Sequence, residues 1–346
     1  MIVGTALKKP GAISCVYPYE RNFCCLFKAE EYMTGNIAVR AEGLKKYYKN
    51  IKAVDGVDFS IKEGEIFSLL GPNGAGKTTT IHMLTGLFAP DAGDAYIFDN
   101  SIKNAALKAK ALMGIVPQEI ALYEDLTARE NLFFWGRLYG LKGAQLKQRV
   151  GEILDLIGLQ ERQHQKIAEY SGGMKRRVNI GIALLHLPHL VIMDEPTVGI
   201  DPQSRRHILD NVLELNKKGM TVLYTTHYME EAQELSDHIA IMDQGKIVAC
   251  GTHAELVKLI GEQDRVELIL SQDGGKVLQA WRELKGVSQI MEEDGKVILL
   301  VDDSNQVLPE LFKIANRNAA RIASVAIHEP NLETVFLHLT GKALRD

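Results

Sequence analysis

The chain has 346 residues, 46% of them hydrophobic and 24% charged, with a formal net charge of -4. That is enough apolar material for a full core, and the length suggests two domains. The mixed signs leave no basic face for a phosphate backbone, which argues against a nucleic acid partner. The longest apolar run, 182–193, is broken by His186, Pro188 and His189. It falls short of the roughly 20 apolar residues a spanning helix needs, so any membrane role is expected to come from another polypeptide.

In chain order, residues 1–36 come first. They carry Cys15, Cys24 and Cys25, and show neither an apolar signal core nor a helix or strand period. We read them as an unstructured leader outside the domain, with translation or folding expected to start at Met33. Together with Cys250, the cysteines have no metal-site or disulfide spacing, as expected in a reducing compartment. Half-buried strands are expected at 37–39 and 57–61. Residues 65–70 read as a strand running into a glycine-rich loop, followed by helical spacing over 79–87.

From Pro117 to about Leu187 the strand signals stop, and Thr127 with Glu130 forms a Thr-x-x-Glu capping box ahead of Leu132, Phe133 and Trp135. A helical insertion is therefore expected over 119–187. Strands return at 190–193, 221–225 and 239–242, and the alternation predicts a largely parallel sheet covered by helices. Past Gly261 the rhythm changes. A strand at 266–270, a helix at 276–284, a hairpin turning at Asp294-Gly295, a strand at 297–301, a helix at 306–314 and a strand at 322–327 suggest a small split β-α-β unit over 265–346.

Two motifs carry chemistry. Gly71-Pro72-Asn73-Gly74-Ala75-Gly76-Lys77-Thr78, with Thr79 after it, lies between a strand and a helix. In that setting bare backbone N–H groups face phosphate oxygens, Lys77 reaches the β and γ phosphates, and the Thr78 hydroxyl ligates Mg²⁺. The run 190–193 ends in Asp194-Glu195-Pro196 at the carboxyl edge of the sheet. There Asp194 would hold Mg²⁺ through water and Glu195 would accept a proton from the attacking water.

With Gln118 after Val116-Pro117, Tyr170-Ser171-Gly172-Gly173-Met174, Gly199-Ile200-Asp201 and Thr225-Thr226-His227, six motifs stand in one order. Over about 37–261 the chain resembles the ATP-binding subunits of ABC transporters. The remainder is similar to the C-terminal extension of daunorubicin-resistance and sodium-export types. The resemblance implies an α/β phosphate-loop NTPase fold with a mostly parallel sheet, N-terminal antiparallel strands, the helical insertion over 119–187 and a small C-terminal α+β domain.

It also implies roles. Ser171, Gly172 and Gly173 would serve ATP held by a second subunit, Asp201 would belong to the nucleotide site, Gln118 would complete the Mg²⁺ shell, and His227 would contact the γ-phosphate. Tyr48 would stack on adenine, with neighbouring Tyr47 as the alternative. Tyr170 and Met174 depart from the usual Leu and Gln of that signature. The expected assembly is a homodimer, or a heterodimer with a close paralogue, on separate transmembrane permease subunits at the cytoplasmic face of the membrane, working as an exporter. Leu122, Tyr123, Phe133 and Trp135 are candidates for the permease groove, and Lys175-Arg176-Arg177 reads as a solvated basic turn. The C-terminal domain is expected to be dispensable for ATP binding and to aid dimer contact or regulation, with the helix face shared by Leu332, Val335, Phe336 and Leu339 as the expected contact. Rival readings are a soluble ABC ATPase acting on a non-membrane partner and an unrelated phosphate-loop kinase.

Overall fold

The computed structural model describes residues 36–259, 264–270, 275–293, 295–318, 320–328 and 331–341. The expected leader with its start at Met33, and Asp294 of the expected hairpin turn, lie outside the described residues.

The first sheet is antiparallel, in the order β2-β1-β4-β5, from β1 (Ile37–Tyr48), β2 (Ile51–Lys62), β4 (Ala92–Ile97) and β5 (Asn100–Ser101). The ladder of β1 and β2 continues to Tyr48 opposite Ile51, well past the short apolar stretches visible in sequence. Lys45, Lys46 and Lys52 interrupt the alternation there, so pairing rather than pattern sets the strand length.

The central sheet has six strands in the order β10-β9-β3-β8-β7-β6. These are β3 (Ile66–Leu70), β6 (Met113–Val116), β7 (Leu190–Asp194), β8 (Thr221–Thr226), β9 (His238–Asp243) and β10 (Lys246–Gly251). All neighbours run parallel except β9 and β10. Every residue of β3, β7 and β8 is buried, as expected of parallel strands covered on both faces. The strands β4, β6 and β10 carry no strong alternation and are not apparent from sequence.

The helices are α1 (Lys77–Leu84), α2 (Ala106–Ala111), α3 (Ala128–Leu138), α4 (Gly143–Leu156), α5 (Gly172–Leu184), α6 (Pro202–Lys217), α7 (Met229–Leu235) and α8 (His253–Leu259). The capping box forms at the start of α3, where Thr127 accepts from Glu130 N and Glu130 accepts from Thr127 N. α3, α4 and α5 pack as one layer around Leu132, Val150, Ile153 and Val178.

The C-terminal unit is an antiparallel sheet, β12-β13-β11-β14, built from β11 (Asp264–Leu270), β12 (Val287–Glu293), β13 (Lys296–Val301) and β14 (Ile322–His328). α9 (Gly275–Arg282) and α10 (Ser304–Arg317) cover one face around buried Trp281. The last helix, α11 (Leu332–Thr340), corrects an expectation. Leu332, Val335 and Phe336 are at most 2% exposed and pack against Leu70, Ile239, Ile241 and Leu256 of the same chain. Leu337 faces Ile298 and Leu300 of β13. The apolar stripe read as a dimer contact is therefore consumed within the chain.

Candidate functional site

The parallel register brings three loops to one edge: Leu70 lies opposite Thr226, and Asp194 opposite Thr225. The glycine-rich loop follows β3, and its glycines answer to close approach. A Cβ at Gly71 would sit 2.2 Å from Met242 O, and one at Gly76, whose φ is 108°, would sit 2.4 Å from Ala53 O. Lys77 is buried; its Nζ donates to Gly71 O at 2.6 Å and Pro72 O at 3.1 Å.

The carboxylate completing the Lys77 shell is Glu195, with Oε1 at 3.0 Å. Glu195 Oε2 accepts from Gln118 Nε2 at 3.3 Å and lies 3.5 Å from His227 Nδ1. Gln118, Glu195 and His227 thus converge on the phosphate loop from three strand ends. Glu195 holds φ at 44°, a left-handed conformation that a side chain adopts at a cost and that is found at functional turns. What fixes that turn is Thr225, which sequence reading did not assign. Its hydroxyl accepts from Glu195 N at 2.9 Å and donates to Asp194 Oδ1 at 2.7 Å.

The cleft over the loop encloses about 860 Å³ and includes Tyr48, Asn73, Gly74, Thr78, Thr79 and Gln118. Tyr48 opens onto it, whereas the Tyr47 hydroxyl is tied to Asp55 at 2.6 Å. That favours Tyr48 of the two as a platform for a flat ring. Gln244 and Lys246, on and just after the turn between β9 and β10, complete the rim. A turn carries no periodic signal, so they were not expected.

Thr78, Gln118 and Asp194 are hard oxygen donors suited to Mg²⁺. Gln118 directs its amide nitrogen to Glu195, which leaves its oxygen for a cation. Among the described residues no group of three or more His, Cys, Asp or Glu could hold a metal unaided. The donor set fits an ion that takes most of its ligands from phosphate and water.

Ser171, Met174 and Asp201 line a different cleft of about 800 Å³ that shares no residue with the first. Ser171 caps α5 by accepting from Met174 N at 3.3 Å, and Asp201 caps α6 by accepting from Ser204 N at 2.9 Å. Gly173 is needed where these two helix starts meet, since a Cβ there would sit 2.1 Å from Ser204 Oγ. Tyr170, in place of leucine, buries its ring and donates its hydroxyl to Arg162 O at 2.6 Å; Met174 packs on the helical layer.

The basic turn is not solvated. Arg176 is 4% exposed and donates to Pro117 O at 2.6 Å and Gln118 O at 2.5 Å, Arg177 donates to Ile157 O, and Lys175 pairs with Glu124. Unpaired carbonyls in the loop after β6 draw the guanidinium inward. The four groove candidates divide. Leu122, Phe133 and Trp135 pack on the helical core, while Tyr123 is exposed and meets Phe134 edge to face at 4.9 Å. Leu138 and Tyr139 are exposed further along α3 and just past its end.

Residues 54–198 match the ABC transporter family. The chain is 48% identical over 310 residues to the linearmycin resistance ATP-binding protein LnrL of Bacillus subtilis, covering 89% of this chain and 100% of that protein. The chain belongs to the ABC transporter ATP-binding subunits. It is also 35% identical to the daunorubicin/doxorubicin resistance ATP-binding protein DrrA of Streptomyces peucetius, over 89% of this chain and 94% of that protein. With the Nod factor export ATP-binding protein I of Ralstonia nicotianae the identity is 38%, over 88% and 94%.

A solved ATP-binding subunit of an ABC transporter superposes with a TM-score of 0.59 at 31% identity, covering 65% of this chain and 93% of that one. A dimeric cassette in a post-hydrolysis state with ADP and Pi gives 0.57 at 28%, covering 62% and 98%. This ABC subunit is thus an ATPase of the exporter type. Among the described residues no helix is long and apolar enough to cross a membrane.

Proposed function

We propose that two copies of the chain, or one copy and a close paralogue, close around two ATP molecules at the cytoplasmic face of the membrane and drive outward transport through separate permease subunits. The observation that carries this reading is the separation within one chain of the phosphate cleft from the Ser171–Asp201 cleft, which share no lining residue. Two chains facing head to tail would bring each loop of one against the signature of the other.

In this reading, ATP phosphates displace the Glu195 carboxylate from Lys77. Freed from that ion pair, Glu195 turns to the attacking water as general base, and His227 holds the γ-phosphate in line. Mg²⁺, held by Thr78, Gln118 and Asp194, would neutralise phosphate charge. Gln118 joins this site to the helical layer, whose exposed Tyr123, Phe134 and Leu138 offer apolar surface to a permease. The relatives named for linearmycin and daunorubicin resistance and for Nod factor export support the outward direction.

Mixing Lys77→Ala chains with Ser171→Arg chains tests the shared site. A mixed dimer holds one site with both defects and one intact, so ATPase activity is expected to reappear on mixing two inactive preparations. Activity that never exceeds the sum of the separate mutants would overturn the shared geometry.

A further inference from the structure

Glu231 is 3% exposed and takes no part in the chemistry above. Its Oε2 accepts three hydroxyls: Thr197 Oγ1 at 3.0 Å, Tyr224 OH at 3.0 Å and Thr226 Oγ1 at 2.9 Å. Its Oε1 lies 3.6 Å from Arg205 Nε without a hydrogen bond. A buried carboxylate is costly unless its partners are well placed, and these partners are not scattered. Thr197 stands two residues after Glu195, in the turn that follows β7. Thr226 stands next to His227, and its hydroxyl also accepts from Tyr228 N at 2.9 Å, so one oxygen brackets the histidine on both sides. Tyr224, buried on β8 between these turns, adds the third bond.

We propose that Glu231 is the positioning residue that sets the spacing of Glu195 and His227. One oxygen gathers the turn that carries the base and the turn that carries the γ-phosphate contact, and holds the two side chains 3.5 Å apart. Thr225 ties the end of β8 to the backbone of the Glu195 turn, and Glu231 joins the two turns beyond it through Thr197 and Thr226, within its reach because α7 packs directly on β8 and β3. The inference rests on the roles given above to Glu195 and His227.

Glu231→Leu keeps about the same size but removes the oxygen that all three hydroxyls share. It is expected to lower kcat about tenfold or more while ATP affinity stays within about twofold, because misplacing a reacting group by under an ångström is felt in the rate and not in binding. Thr226→Val should reproduce the loss, and Thr226→Ser, which restores the hydroxyl, should recover most of it. This pair carries the test if Glu231→Leu fails to fold. The deciding readout is the double variant. In a His227→Ala chain, Glu231→Leu should reduce the residual rate by much less than it does in wild type, since one of the two side chains whose spacing it sets is gone. An undiminished additional loss in that background, a wild-type kcat in folded Glu231→Leu, or a fall in ATP affinity matching the fall in kcat would each overturn the proposal. A wild-type rate in His227→Ala alone would instead remove the role of His227 and the proposal with it, so the two failures are told apart.

Discussion

Lys77 and Glu195 form a buried ion pair at 3.0 Å, both under 6% exposed, in which the cation expected to bind phosphate is balanced by the residue expected to act as base. Removing one member of such a pair leaves an uncompensated buried charge, at a cost of about 3 kcal/mol. Glu195→Gln is therefore expected to melt at a lower temperature than wild type without nucleotide and to regain the difference with ATP, whose phosphates take over from the carboxylate. ATP binding should be at least as tight as in wild type, and turnover close to zero, because an amide accepts no proton. Thermal melts with and without ATP, beside phosphate release, check this; coincident melts of the two nucleotide-free proteins would contradict it. At this scale the sequence made Lys77, Thr78, Asp194 and Glu195 stand out because their type and spacing are those that phosphate chemistry would need, and the structure brings Lys77 and Glu195 into contact. Thr225, Glu231 and Arg176 stayed hidden because their partners lie far along the chain, and a buried arginine looks like a surface one until the carbonyls it meets are known.

At the scale of elements, neighbouring strands are held in register by side chains at their ends. Glu65, just before β3, accepts from the ring of His238, the first residue of β9, at 2.6 Å, and also from Lys62 N at 2.6 Å. The Glu65 hydrogen bond raises the His238 pKa above its ordinary 6.5, against the opposing effect of burial. Protonation is thus favoured in the folded state. The bond's stabilisation is fully present below pH 6.5, and is lost as pH climbs through the higher folded value. His238→Asn is expected to cost about 0.5–1 kcal/mol at pH 6, a small figure because the ring is partly exposed and screened, and progressively less as pH rises through the raised folded pKa. Urea unfolding of both proteins across that range checks the sign; a difference that grows with pH would refute it. The strands β3, β7 and β8 were legible as β-rich runs, β7 as a continuous apolar one. Those set by pairing alone, such as β4 and β10, were not.

On the scale of the whole molecule, the C-terminal unit is cemented to the ATPase core by α11. Phe336 and Val335 close the cluster that contains Leu70, the residue immediately before Gly71 of the phosphate loop, and Leu337 carries the packing on to β13. Sequence reading found the apolar stripe correctly but gave it to a second chain, because a helix face states that it is covered and not by what. The corrected placement reverses an expectation: a chain ending near Gly261 would expose Leu70, Ile239, Ile241 and Leu256 to water, and should lose stability and ATP binding together. Phe336→Ala tests this without deleting the unit. Emptying a site that is 2% exposed should cost about 3–5 kcal/mol and weaken ATP binding through the strand that ends at the loop. Phe312→Ala, at a residue 41% exposed on α10, should cost under about 1 kcal/mol and leave ATP binding alone. Denaturant unfolding and ATP titration of the two variants decide the matter. If the shortened chain unfolds cooperatively at the wild-type midpoint and binds ATP with wild-type affinity, α11 is an ornament on the core, and its packing against Leu70 has no bearing on the phosphate loop.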